Sequence, residues 1–274
     1  MEKTLDVDGN VIRLYQEGSG ERVVVYLHSG AGEVCQLPFF SALAQGGATV
    51  IVPEFPGFGG SRPMVPRLRR IEDAIFHLRR VLDLVAPDRQ VVLVGSSLGG
   101  WLAAELAAWF PDRFAALVLI GASGLRVEGA PIFNIFGVPG EQDDLQGEIA
   151  RRSNPHGVDL AAIIAPAFAD KDVPSEDARM LHFLRGGAVV AQLGWNPYLH
   201  DVRLQGRLRA VRAPTLVLWG ADDQLVPLPH GEAYAAAIAG AELSVIPGSG
   251  HSPALEKPET TAALVQTFVE RVGA

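Results

Sequence analysis

The sequence predicts an α/β protein built on a mostly parallel β-sheet with helices on its faces. Short apolar segments rich in valine, leucine and isoleucine alternate with segments whose apolar residues recur at helical spacing. This alternation is typical of consecutive strand–helix–strand units, in which right-handed crossovers place helices against a parallel sheet. The 274 residues suffice for one large domain of this class, or for a core that carries an inserted subdomain.

Eight strands are expected, and the first two flank the hairpin turn signal Asp8-Gly9. The strands are predicted over residues 4–7, 10–17, 22–27, 48–53, 91–94, 114–120, 215–219 and 243–246. Helices are predicted over residues 38–44, 68–85, 102–110, 230–238 and 258–272. The second helix has an apolar residue every three or four positions, and the last begins with a proline.

The alternation stops in the segment from Ala122 to Arg209, which has no clear strand. Short helices are predicted near residues 145–152, 160–168 and 175–184. Because a segment this long is not an ordinary connection, it predicts a helical cap inserted into the sheet domain. The expected division is therefore a core formed by residues 1–121 and 210–274, with a cap over residues 122–209.

Composition excludes several classes of function. The formal net charge of −8 disfavours nucleic acid as a partner. A single cysteine, Cys35, permits no internal disulfide, and Met1 to Asp6 lack the apolar core of a signal peptide. No run of about 18 apolar residues predicts a membrane span. We therefore expect a cytoplasmic protein without membrane association, and no metal or cofactor is implied.

The motif most specific for chemistry is Gly95-Ser96-Ser97-Leu98-Gly99, between the strand at 91–94 and the helix at 102–110. A strand, a tight turn of small residues and a helix form the setting in which Gly-x-Ser-x-Gly makes a nucleophile elbow. The glycines lie two residues before and two after Ser97, whereas Ser96 has bulky residues at those positions. The frame therefore selects Ser97 as the nucleophile.

A serine hydroxyl needs a base to accept its proton, and the base needs a carboxylate to orient it. Active sites of open α/β sheets lie at the carboxyl ends of the strands. After the strand at 215–219 comes Asp222-Asp223, and after the strand at 243–246 comes a glycine-rich loop with His251. The sequence thus predicts His251 as general base and one of the two aspartates as its orienting partner.

These motifs, with the glycine-rich loop after His28 and the Pro56–Ser61 turn, resemble the α/β-hydrolase superfamily over nearly the whole chain. The resemblance implies an eight-stranded sheet with a cap, and it selects Asp223 over Asp222 as the triad acid. The N–H of Leu98, directly after the nucleophile, is the first expected oxyanion donor. The resemblance implies Gly30 as the second, with Ser29 at a position where the family usually has glycine.

The reaction expected first is hydrolysis of a carboxylic ester or lactone of a small to medium, hydrophobic substrate, as in carboxylesterases. The candidate substrate-binding residues are Ser29, Phe133, Phe136 and Trp195. An alternative is hydrolysis of a carbon–carbon bond in ring-cleavage diketo acids, although enzymes of that kind usually have tryptophan where this chain has Ser252. A non-enzymatic binding module of the same fold is a third possibility, which a fluorophosphonate probe of Ser97 would test.

The remaining charged and histidine residues are given structural interpretations. His28 is expected to support the oxyanion loop. The other histidines, His77, His156, His182, His200 and His230, are expected to be solvated or locally hydrogen-bonded. The arginines Arg67, Arg69, Arg70, Arg79 and Arg80 are interspersed with acidic residues, which favours a solvated helix face over an anion site.

Overall fold

The computed structural model describes residues 1–65, 67–133, 175–194 and 197–274. Its centre is one eight-stranded sheet in the order β1-β2-β4-β3-β5-β6-β7-β8. The strands are β1 Glu2–Val7, β2 Asn10–Glu17, β3 Arg22–Leu27, β4 Ala48–Pro53, β5 Val91–Ser96, β6 Phe114–Ile120, β7 Thr215–Gly220 and β8 Glu242–Ile246. The β1–β2 and β2–β4 pairs are antiparallel and the others are parallel, which confirms the predicted sheet.

The strands form where the sequence is apolar and β-branched. In β5 and β7 every residue is buried, as expected for strands covered on both faces. β1 is largely exposed because it lies at the edge of the sheet, where it pairs only with β2. The parallel strands β3, β5, β6, β7 and β8 all end at the same edge, so the loops that follow them converge there.

Helices cover both faces of the sheet. They are α1 Pro38–Gln45, α2 Ile71–Val85, α3 Leu98–Trp109, α4 Glu176–Gly194, α5 Leu204–Arg207, α6 Pro229–Ala237, α7 Pro253–Glu256 and α8 Pro258–Val272, with a short 3-10 turn at Leu208–Ala210. One apolar layer contains Phe39 and Phe40 of α1 and Phe268 of α8. The opposite layer contains Leu78 of α2 and Leu106 of α3, so the sheet lies between two layers of helices.

Two helices begin three or more residues from their predicted starts. α2 begins at Ile71 instead of residue 68, because Arg70 is extended and the Asp73 side chain accepts the N–H groups of Arg69 and Arg70. These bonds cap the first turn and leave Leu68 in the preceding loop. α3 begins at Leu98, four residues before the expected start, so that no loop separates Ser97 from the helix.

The predicted cap lies only partly within the described residues. The helices expected near 145–152 and 160–168 fall outside them, and the cap boundaries remain a prediction. The helix expected near 175–184 is observed as α4 and continues ten residues further, to Gly194. Gly186 lies inside this helix and packs closely on Phe58: a Cβ atom on it would lie 2.8 Å from the ring.

Candidate active site

Ser97 occupies a strained turn between β5 and α3. Its backbone has φ 52° and ψ −114°, a region that residues with a side chain rarely adopt. The turn is held because the Ser97 N–H donates to the Ile120 carbonyl at 2.9 Å and the Ser97 carbonyl accepts from Trp101 and Ser123. The strain is therefore opposed by bonds to β6, to the segment after it and to α3. Ser96, in contrast, is a buried residue of β5.

Glycines let the elbow pack against its neighbours. A Cβ atom on Gly95 would lie 2.3 Å from the Gly99 carbonyl oxygen, and one on Gly99 would lie 2.1 Å from the Leu27 carbonyl oxygen. A Cβ on Gly100 would lie 2.6 Å from the Cβ of Ala122. Since two of these contacts are with backbone oxygens, a side chain at Gly95 or Gly99 would force strand and helix apart.

Asp223 and His251 meet at the ends of β7 and β8. His251 Nδ1 lies 2.9 Å from Asp223 Oδ2. The other carboxylate oxygen, Asp223 Oδ1, accepts the N–H groups of Leu225 and Val226, both at 2.9 Å. Asp222 is exposed. The loop thus fixes Asp223 with both oxygens occupied, whereas no hydrogen bond joins Asp222 to His251 among the described residues.

The environment of His251 favours its protonated form. Burial alone would lower its pKa, but the charge and hydrogen bond of Asp223, aided by the charges of Glu256 and Glu33, raise the pKa of His251 above 6.5. Its Nε2 is buried and has no hydrogen-bond partner among the described residues. Because Nδ1 faces Asp223, Nε2 is the atom left to exchange a proton with a nucleophile.

Two further residues shape the loop around His251, one by hydrogen bonds and one by the lack of a side chain. Glu256, at the end of α7, accepts the Gly250 N–H at 2.5 Å and the Ser252 N–H at 2.9 Å. One carboxylate therefore binds the backbone of the residues directly before and after His251. Gly121 has φ 52°, and a Cβ atom there would lie 3.0 Å from the His251 carbonyl oxygen. Sequence reasoning missed both residues. No motif marks Glu256, and Gly121 was recognisable only as a glycine at the end of a strand.

The two expected oxyanion donors lie at the ends of neighbouring strands, β3 and β5. Leu98 is the first residue of α3, so its N–H belongs to a helix N-terminus. Gly30 lies in the loop after β3, and a Cβ atom on Gly99 would also contact the His28 carbonyl, which places the start of α3 against the start of that loop. Among the described residues, neither the Leu98 nor the Gly30 N–H donates a hydrogen bond to a protein acceptor.

His28 supports the loop after β3, as expected. Its Nε2 accepts the Phe55 N–H at 2.9 Å, so Nδ1 carries the proton and donates to the Ser29 carbonyl at 2.7 Å. Burial lowers the pKa of His28 despite the nearby charges of Glu33 and Glu54. The neutral imidazole therefore connects the loop after β3 to the residues that follow β4.

Ser29 does not need the backbone conformation of the glycine it replaces, because the residue of positive φ in this loop is Gly32. Its hydroxyl donates to Glu33 Oε2 and accepts the Ala31 N–H at 3.0 Å. The Ser29 hydroxyl is thus engaged within the loop, which indicates a part in holding the loop. Glu33, a buried carboxylate that sequence reasoning missed, is the centre of these bonds and also accepts from Tyr26.

Of the other three candidate substrate residues, only Phe133 lies within the described part of the chain. Phe133 is half-buried against the core, and its N–H donates to the Leu225 carbonyl at 2.9 Å, beside the Asp223 loop. Phe136 and Trp195 lie outside the described residues. Of the four candidate substrate residues, the structure therefore describes Ser29 and Phe133.

Two histidines differ from expectation. His77 and His230 are buried, so the prediction that they are solvated or locally bonded is wrong for both. His230 Nε2 lies 2.7 Å from the Ala130 carbonyl, a hundred residues away in the chain, and His77 packs on the inner face of α2. Helical spacing places position 77 on the same face as Ala74, Leu78 and Val81, a signal that could have revealed its burial.

The described residues contain no cluster of three or more histidine, cysteine, aspartate or glutamate side chains that could hold a metal ion. Nor does any helix among them have the length and apolar character required to cross a membrane.

Comparisons with known proteins identify related hydrolases. The 2-hydroxy-6-oxo-6-phenylhexa-2,4-dienoate hydrolase of Burkholderia cepacia is 28% identical over 94% of this chain and 91% of its own. The 2-hydroxy-6-oxononadienedioate/2-hydroxy-6-oxononatrienedioate hydrolase of Paraburkholderia phymatum is 30% identical over 92% of this chain and 88% of its own.

Solved structures share the fold. The meta-cleavage product hydrolase from Pseudomonas fluorescens superposes with a TM-score of 0.73 at 20% identity, over 98% of this chain and 97% of that one. A thermophilic esterase from Thermogutta terrifontis superposes with a TM-score of 0.68 at 24% identity, over the full length of both chains. A model of the alpha/beta hydrolase family matches residues 24–264. The chain therefore belongs to the alpha/beta hydrolase family and is a hydrolase.

Proposed function

We propose that Ser97, His251 and Asp223 form a catalytic triad that hydrolyses a small organic substrate through an acyl-enzyme. The observation that carries the proposal is the 2.9 Å pair of His251 and Asp223, at the same sheet edge as the strained elbow of Ser97. A strained, locally supported serine at the same sheet edge as an oriented imidazole is the arrangement that supports nucleophilic catalysis.

The steps follow from the atoms present. Ser97 Oγ attacks the substrate carbonyl carbon while His251 Nε2 takes the hydroxyl proton, and the N–H groups of Leu98 and Gly30 stabilise the oxyanion. The tetrahedral intermediate then breaks the bond to the leaving group, which receives the proton from His251. Water, deprotonated by the same nitrogen, hydrolyses the acyl-enzyme and restores the free serine. No Ser97–His251 hydrogen bond is present among the described residues, and such bonds often form only with substrate.

The bond we propose first is a carbon–carbon bond in a vinylogous diketo acid. Both relatives compared above are named as hydrolases of such compounds, and the similarity extends over more than nine-tenths of this chain in each case. Carbon is a poor leaving group unless its electron pair is delocalised, which a conjugated keto acid permits. The proton that His251 returns then goes to that carbon skeleton.

Hydrolysis of a carboxylic ester or lactone is the second candidate, and Ser252 favours it. Carbon–carbon hydrolases of this kind usually have tryptophan directly after the catalytic histidine, whereas Ser252 is small and its N–H is held by Glu256. Both reactions use the same triad and the same oxyanion donors. They differ in the leaving group, so substrate comparison separates them.

The experiment compares turnover of a vinylogous diketo acid with turnover of p-nitrophenyl esters of increasing acyl length. Each is measured with the wild-type protein and with Ser97→Ala, which leaves the turn intact but removes the nucleophile. We expect loss of at least about a thousandfold in kcat for the preferred substrate. Unchanged turnover in Ser97→Ala would refute the triad, and a preference for esters would select the second candidate.

A further inference from the structure

A cavity of about 490 Å³ lies between the loop that follows β4 and helix α4. The loop contributes residues between Pro56 and Leu68, and α4 contributes residues between His182 and Gln192. None of the lining residues belongs to the proposed triad or oxyanion pair. The cavity is therefore separate from the atoms that perform the proposed reaction, and its volume is in the range of small-molecule sites.

The described residues that line this cavity include several arginines and no acidic residue. Arg62 and Arg67 line it from the loop, and Arg185 lines it from α4. Within the described part of the chain, none of these three guanidinium groups forms a salt bridge. Six other arginines do pair with carboxylates, namely Arg13, Arg79, Arg80, Arg207, Arg212 and Arg271.

Lack of a salt bridge alone does not distinguish these three arginines, because eight other described arginines also form none, namely Arg22, Arg69, Arg70, Arg89, Arg113, Arg126, Arg203 and Arg209. Their position distinguishes them: in a chain with a formal net charge of −8, they come from two separate elements and line one concavity whose described lining has no carboxylate. Like charges that line a concave surface reinforce one another and concentrate positive potential inside it. An anion bound there would relieve their mutual repulsion as well as gain hydrogen bonds.

We propose that this cavity binds the carboxylate groups of a small organic acid through Arg62, Arg67 and Arg185. A guanidinium group presents paired N–H donors that match the two oxygens of a carboxylate. Met64, Leu68 and Val189 also line the cavity and offer apolar contacts to a short carbon chain between charged ends. The cavity therefore fits an aliphatic dicarboxylate better than an isolated inorganic ion.

Helix α4 connects this cavity with the catalytic edge of the sheet. A Cβ atom on Gly57, in the cavity wall, would lie 2.9 Å from Val189. One on Gly30 would lie 3.1 Å from Val190, the next residue of the same helix. The bound acid is thus either the far end of a substrate whose carbonyl lies at Ser97, or a separate molecule bound beside the site. Both sources share the same recognition chemistry.

Binding is tested directly, without reliance on turnover. Succinate, glutarate, adipate and citrate are titrated by calorimetry into the Ser97→Ala protein, then into the same protein with Arg62→Gln and Arg185→Gln. A matched control carries Arg126→Gln and Arg209→Gln, two exposed arginines outside the cavity lining. We expect at least one acid to bind the Ser97→Ala protein. Its affinity should fall about tenfold or more in the protein with Arg62→Gln and Arg185→Gln, and should change less than twofold in the control.

Absence of saturable binding by all four acids overturns the proposal, as does equal loss of affinity in both pairs. The source of the acid is then resolved with p-nitrophenyl hemisuccinate and its neutral counterpart p-nitrophenyl butyrate. A KM raised only for the hemisuccinate by Arg62→Gln with Arg185→Gln identifies the substrate's own carboxylate. A KM unchanged for both esters identifies a separate acid. Failure of the wild type to cleave either ester bears on the proposed function alone.

Discussion

Ser29 donates both its backbone N–H and its hydroxyl to the carboxylate of Glu33, at 3.0 and 2.7 Å. Glu33 is buried, so these bonds and the one from Tyr26 supply the hydrogen bonding that water would otherwise give. Gly30, the expected oxyanion donor, follows Ser29 directly. The Ser29–Glu33 pair therefore fixes the part of the loop that must present an N–H to the substrate.

We expect Glu33→Gln to lower kcat about tenfold with little change in KM. The amide nitrogen of glutamine cannot accept the Ser29 hydroxyl proton, so the loop loses a charge-assisted bond and the Gly30 N–H loses its fixed direction. Removal of the Glu33 charge also lowers the pKa of His251, which shifts the acid limb of the kcat/KM profile to lower pH. Steady-state kinetics across pH measures both effects.

Ser29→Ala provides the matched control, because it removes the hydroxyl without touching the carboxylate. If the pair acts as a unit, the double variant loses no more activity than Glu33→Gln alone. Additive losses, or an unchanged pH profile in Glu33→Gln, would contradict this role of the pair.

Replacement by asparagine should have very different effects on activity at the adjacent residues Asp222 and Asp223. Asp223→Asn is expected to lower kcat/KM about a thousandfold or more, since the amide no longer orients or stabilises the His251 imidazolium. Asp222→Asn, at an exposed position with the same change in charge, should stay within about twofold. A comparable loss in both variants would show that the charge of the loop, and not the bond to His251, governs activity.

The pH dependence of activity has a defined sign. His251 must be neutral to accept the Ser97 proton, and its pKa is raised above 6.5 in the folded protein. Activity should therefore fall as the pH decreases through a value above 6.5. An acid limb centred well below 6.5 in the wild-type protein would contradict the influence of Asp223 on this histidine.

Gly99→Ala tests the close packing of the elbow. The added Cβ would lie 2.1 Å from the Leu27 carbonyl oxygen, and backbone on both sides leaves little room to move. We expect a loss of about 3 kcal/mol in the free energy of unfolding. Gly206→Ala, in α5, meets nothing within 4 Å and should be neutral or slightly stabilising. Urea denaturation of both variants measures the difference, and equal stabilities would contradict the packing argument.

His77 makes the stability of the protein depend on pH. Burial lowers its pKa to about 4, against a smaller opposite effect of Asp8, whereas in the unfolded chain the value is 6.5. Between these values the unfolded chain binds more protons, so the free energy of unfolding falls as the pH decreases from 6.5 to about 4. The full effect is about 3 kcal/mol. His77→Leu should reduce this slope in urea denaturation, and an unchanged slope would assign the acid sensitivity to other groups.

Much of the fold follows from local sequence, and for a local reason. All eight strands appear within three residues of their predicted bounds, because runs such as Val91–Val94 fit a strand buried on both faces wherever it lies. The frame of the elbow is equally local: the two glycines around Ser97 permit one tight turn with a positive φ at the serine.

Other features depend on partners that no local pattern specifies. α2 begins three residues after its predicted start because the side chain of Asp73 accepts the N–H groups of Arg69 and Arg70. The burial of His230 depends on the carbonyl of Ala130, which is distant in sequence. Glu256 becomes important only because its helix begins beside the His251 loop.

The sequence by itself determined the strand–helix alternation, the position of Ser97 at a turn, and the order of serine, aspartate and histidine along the chain. Only the tertiary structure decided that Asp223 and His251 lie within hydrogen-bond distance, that Glu33 binds the loop after β3, and that Arg62, Arg67 and Arg185 share a cavity. The physical reason is that backbone conformation responds to neighbouring residues. Charge pairing, burial and cavity shape arise instead when the sheet brings separate loops together.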